Sequence, residues 1–68
     1  MQEVVFLIQE APEGGYTARA LGHSIFTEAE NWDELREAVR DSIRCHFEPT
    51  DCPRVIRLHY VRDEVLVA

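Results

Sequence analysis

The stretch EGGYTARAL at residues 13–21 decides how the chain begins to fold. Glu13-Gly14-Gly15 is turn chemistry, because glycine accepts the positive φ angles that a tight reversal needs. Tyr16 to Leu21 then alternates with a period of two, as a strand does. Upstream, residues 3–10 (EVVFLIQE) read as a strand. Val4, Phe6 and Ile8 point one way, and Val5, Leu7 and Gln9 the other. Pro12 lies between the two runs and fixes φ at the start of the turn. Two strands joined this closely are an antiparallel hairpin, with strands at 3–10 and 15–21. Both sides of the first strand are largely apolar, which predicts a central strand covered on both faces. Tyr16, Ala18 and Ala20 share a side of the second strand, and the two alanines leave room there for a helix.

Working downstream, Gly22-His23 reads as a second turn and Ser24 to Glu28 as a third short strand, with Ile25 and Phe26 on opposite faces. His23 should face solvent. A helix follows. Asn31 is a good N-cap and Glu34, three residues later, makes a variant capping box. Trp32, Leu35, Val39, Ile43 and His46 recur at spacings of three and four and form its apolar face. Asp33-Arg36, Glu37-Arg40 and Asp41-Arg44 are acid-before-base pairs on the opposite, wet face. Pro49 and Pro53 bound the exit loop. Residues 55–61 (VIRLHYV) read as a last strand, with Ile56, Leu58 and Tyr60 on one face and Arg57 and His59 on the other. Val65 to Val67 reads as a short extra strand after an Asp63-Glu64 turn. The fold class is therefore α+β: a two-layer β-β-β-α-β domain spanning residues 1–68, with a three-strand meander and one helix on one face of the sheet.

The 68 residues carry 13 acids and seven arginines with no lysine, a net charge of −6. That balance argues against direct nucleic-acid binding and against anionic membranes, both of which select a basic surface. Arg19, Arg54, Arg57 and Arg62 make at most a modest basic patch. The longest aliphatic-aromatic run, Val4 to Ile8, is five residues, far below a membrane span. The start, Met1-Gln2-Glu3, has no signal-peptide pattern, so a cytoplasmic location with reduced thiols is expected. A chain this short has a small core, and one helix shields one side of a sheet. The other side calls for a second polypeptide, so a homo-oligomer, a dimer or higher, is expected.

The stretch from Val5 to Phe47 resembles the HicB-like antitoxin family. The resemblance is carried by Glu13-Gly14-Gly15-Tyr16-Thr17-Ala18 after an apolar strand, by Ile25-Phe26-Thr27, and by Asn31-Trp32-Asp33-Glu34-Leu35 opening a helix that runs through Ala38-Val39 and Ile43. It implies a truncated ribonuclease H-like fold in which the last strand runs parallel to the first. It also implies a non-enzymatic role: such proteins cover the active surface of a small basic toxin that cuts messenger RNA. The Leu21-Gly22-His23 loop is shorter than is usual there. No helix-turn-helix or ribbon-helix-helix pattern follows, so repression of transcription is not expected.

Residues that carry chemistry are sparse. The middle of the first strand, Val5-Phe6-Leu7, has no carboxylate with which to hold Mg²⁺ for nuclease chemistry. Cys45, His46, Cys52 and His59 lack the close Cys pair that orients a zinc site, and Cys45 and Cys52 read as ordinary thiols. Cys45 and His46 diverge around the helix and form no nucleophile pair. Gly14-Gly15 opens no phosphate loop. No catalytic, metal or cofactor site is therefore expected. The candidate partner-binding residues are Asp33, Glu37 and Asp41 on the wet helix face, together with Arg57 and His59 on the sheet, where a histidine would make a contact pH-sensitive. The alternative reading is a homo-oligomeric domain that binds a small molecule or regulates.

Overall fold

The computed structural model describes residues 3–68. Gly14 and Gly15 take φ of 103° and 84°. They close the first hairpin through hydrogen bonds from Ala11 N–H to the Gly15 carbonyl at 2.9 Å and from Gly14 N–H to the Ala11 carbonyl at 3.0 Å. Strand β1 (Glu3–Glu10) thereby folds back on β2 (Tyr16–Ala20), with Ile8 opposite Ala18 and Phe6 opposite Ala20. β3 (Phe26–Ala29) pairs antiparallel with β2. β4 (Val55–Val61) lies parallel to the other side of β1. The sheet order β3-β2-β1-β4 puts β1 and β2 inside and leaves β3 and β4 as edges.

Helix α1 (Trp32–His46) starts where the sequence places it. The Asn31 side chain accepts from the Glu34 N–H at 2.9 Å. This satisfies one of the amide groups that a helix start leaves without a partner. The helix ends at Phe47, whose N–H donates to the Ile43 carbonyl, just before Pro49. Leu35, Val39 and Ile43 are buried against Val4, Phe6, Ile8, Ala18, Ala20 and Ile25. The two alanines let the helix approach: it packs on β2 and β3 and stands off β4.

Five expectations are corrected. β3 starts at Phe26 rather than Ser24, because Ile25 is needed in the core and its carbonyl closes the turn onto Ala20 N–H at 3.0 Å. β1 is central but buried on one face only: Val4, Phe6 and Ile8 are buried, whereas Val5 and Leu7 are half-buried. His46 sits beyond the buried helix stripe and is exposed. His23 is half-buried, edge-on to the Phe47 ring at 5.1 Å and to His46 at 5.9 Å. Val65 to Val67 form no strand: they run on past the end of β4, exposed and unpaired within the described chain.

Candidate protein-interaction surfaces

The outer face of the sheet is built from the odd-numbered residues of β1, β2 and β4. Register fixes the rows: Leu7 lies between Arg19 and His59, and Arg19 lies next to Phe26. Val5 lies next to Arg57, and Leu21 N–H donates to the Val5 carbonyl at 2.9 Å. The centre is apolar and half-buried. Around it Phe26 is 63% exposed, Leu21 51% and Val55 50%. Arginines 19 and 57, His59 and Glu28 interleave with these apolar groups. Among the described residues no helix or strand lies over this face. The sequence-predicted residues Arg57 and His59 are both here. Arg57 Nε donates to Glu3 Oε2 at 3.0 Å across the β1–β4 pair, so its charge is already met.

The wet face of α1 carries the other three predicted residues, all exposed. Arg40 donates to Glu37 at 2.9 Å and Arg44 to Asp41 at 2.7 Å, while Arg36 and Asp33 approach to 4.0 Å. Exposed pairs of this kind contribute little to stability, but they cancel charge locally. The helix face is thus nearly neutral rather than acidic. The acid excess gathers at the hairpin end of the molecule, where Glu13, Glu28 and Glu30 line a shallow depression with Gly14 and Tyr16. Glu10 and Glu30 line its neighbour.

That same end holds a cluster that sequence reading missed. Tyr16, Trp32 and Tyr60 meet edge-to-face, with ring centroids 5.4 to 5.9 Å apart. Tyr60 Oη donates to Glu10 Oε1 at 2.6 Å. This hydrogen bond, with smaller contributions from desolvation and from the negative charge of Glu10, raises the Tyr60 pKa above the ordinary phenol value. The signal was present in the parity of the strands: Tyr16 and Tyr60 both fall on the helix side, and Trp32 is the first helical residue.

Chemistry finds little purchase elsewhere. Among the described residues no three His, Cys, Asp or Glu side chains are grouped so as to hold a metal ion. No charged or polar side chain there is buried. Cys45 and Cys52 are free thiols. A depression of about 560 Å³ between the end of β1 and Val61-Arg62-Asp63 is open to solvent. It lacks the enclosing apolar walls of a small-molecule site. No described helix is long and apolar enough to cross a membrane.

No family model matches the chain, and no solved structure matches it. Two relatives do. A UPF0150 protein of Archaeoglobus fulgidus is 54% identical over 52 residues, which cover 76% of this chain and 77% of that protein. A UPF0150 protein of Thermotoga maritima is 36% identical over 62 residues, covering 91% of this chain and 87% of that protein. At that identity and coverage, the chain belongs to the UPF0150 family.

Proposed function

We propose that this UPF0150 protein is a non-enzymatic protein-binding module of the HicB antitoxin type, which self-associates through its sheet and masks a small basic partner protein. The observation that carries the reading is the outer sheet face. Val5 and Leu7 form its apolar centre, Phe26, Leu21 and Val55 surround them, and no described element lies over it. Apolar surface rimmed by polar groups is the physical mark of an interaction site, because covering it removes the apolar area from water. The interleaved arginines, His59 and Glu28 give such a contact register as well as area.

A basic partner would be drawn to the hairpin end, where Glu13, Glu28 and Glu30 have no arginine among the residues lining their depressions. The helix acids Asp33, Glu37 and Asp41 contribute less, since each is held by an arginine of its own helix.

The test first asks whether a small basic RNA-cutting protein is encoded beside this gene; its absence would count against the masking role, and its presence supplies the toxin for the assay. RNA cleavage is measured as this protein is titrated in. Stoichiometric inhibition is expected, weakened by the double reversal Glu13→Arg with Glu30→Arg. Cleavage that continues unchanged in excess protein would defeat the masking role.

A further inference from the structure

Segment 62–68 is out of keeping with the rest of the molecule. It follows β4 with no strand partner, and Val65, Leu66 and Val67 are 89%, 81% and 97% exposed. The molecule measures 52 × 19 × 18 Å. An eight-residue strand such as β1 reaches only about 26 Å, so the long axis is set by this segment projecting past the sheet. Three consecutive aliphatic residues held out in water are a surface without a cover.

Two features of β4 match that segment. First, β4 is an edge: its outward N–H and C=O groups are unpaired over seven residues, with no proline and no lysine to discourage a new neighbour. Second, because α1 stands off β4, a groove of about 240 Å³ remains between them. Ile56, Leu58 and Val39 form its apolar floor and Arg36 and Arg40 its rim. The segment is the complement of the groove, with Asp63-Glu64 followed by Val65-Leu66-Val67.

We propose that segment 63–67 of one copy adds as an antiparallel strand to the free edge of β4 in a second copy, reciprocally, about a twofold axis at Val61. The proposal rests on the self-association reading above and names its mode. Directly opposed residues of an antiparallel pair lie on the same face. With the axis at Val61, Leu66 faces Ile56 and Glu64 faces Leu58 on the helix side. That places the Glu64 carboxylate under Arg36 and Arg40 and fills the groove with Leu66. On the outer face Asp63 faces His59, Val65 faces Arg57 and Val67 faces Val55, so an acid meets the histidine in the row of Leu7 and the two terminal valines add apolar contact in the rows of Val5 and Glu3. The four-residue edge β3 is the poorer acceptor: it is shorter, and Glu28 would repel Asp63 and Glu64.

The experiment measures mass by light scattering at roughly 50 micromolar, with far-ultraviolet circular dichroism to confirm the fold. The wild type is compared with Leu66→Asp, whose site is solvent-exposed within the single chain, so that chain still folds. Val61→Cys in a Cys45→Ser, Cys52→Ser background then tests the axis by mild oxidation. The wild type is expected to be a dimer, Leu66→Asp to dissociate about a hundredfold more readily, and Val61→Cys to cross-link. A dimeric wild type with an equally tight Leu66→Asp dimer overturns the strand exchange and leaves the self-association reading standing. A monomeric wild type overturns both. Dissociation of Leu66→Asp with no Val61→Cys cross-link overturns the edge pairing and points to another resting place for the segment, such as the outer face.

Discussion

The two faces of β1 differ less in chemistry than in burial. Under the helix lie Val4, Phe6 and Ile8, at 2%, 0% and 0% exposure. On the other side Val5 and Leu7, residues of the same kind, stay half-buried, and Gln9 is exposed. One strand therefore provides both an internal control and an experiment. An aliphatic side chain becomes core when a second layer arrives, and the sequence of a strand does not carry its own cover. The centre of the outer face, Val5 and Leu7, is made of core-grade residues without the layer that would make them core.

Paired substitutions break or sharpen that contrast. Phe6→Ala is expected to cost about 3–5 kcal/mol, because it removes a fully buried ring and leaves a cavity. A domain of this size has only about 3–10 kcal/mol of total stability. Leu7→Ala is expected to cost less than half as much in the isolated chain. Urea denaturation of both variants tests this, and a Leu7→Ala loss that grows with protein concentration would show the outer face to be covered in an assembly.

Next in size is the glycine pair that closes the hairpin. A Cβ on Gly15 would meet the Ala29 carbonyl oxygen at 2.6 Å, whereas one on Gly14 meets nothing within 4 Å. Gly14→Ala is expected to cost about 1–2 kcal/mol from its positive φ alone. Gly15→Ala should cost more, because the end of β3 must also shift. Equal losses in thermal melts would mean that the approach of hairpin and β3 does not constrain the helix side.

A smaller effect concerns the aromatic cluster. Tyr60 has a raised pKa through its bond to Glu10, so that bond stabilises the fold fully below the unfolded value of 10.0 and is lost as pH rises through the folded value. Ultraviolet titration of the tyrosines should show one phenol ionising late, and Glu10→Gln should bring it back down. A Tyr60 titration indifferent to Glu10→Gln would remove the bond from the account. Smallest of all, Asp41→Asn, which discharges one exposed helix pair, should change stability by about 0.2–0.5 kcal/mol. A larger loss in the urea midpoint would mean the wet face of α1 is in contact with something.

Much of the fold was legible from short-range chemistry. The Gly14-Gly15 turn, the Asn31 cap and the recurrence of Leu35, Val39 and Ile43 act within a few residues, and each holds in the structure. The resemblance to HicB-like proteins implied that β4 lies parallel to β1, and it does. The readings that failed depended on distant neighbours. His23 was expected to face solvent because nothing near it in sequence shows Phe47. The aromatic cluster unites residues 16, 32 and 60 from three elements. The helix pairs Asp33-Arg36, Glu37-Arg40 and Asp41-Arg44, by contrast, are three residues apart and were legible in the sequence.

The sequence by itself determined the first hairpin, the helix with its buried stripe Leu35, Val39 and Ile43, and the last strand, because dihedral preference, capping and periodicity are local properties. Only the tertiary structure decided that α1 sits over β2 and β3 rather than β4, which face of the sheet stays open, and where the uncompensated acids collect. Those outcomes depend on which surfaces compete for one helix, and the small Ala18 and Ala20 admit it more closely than β4 does.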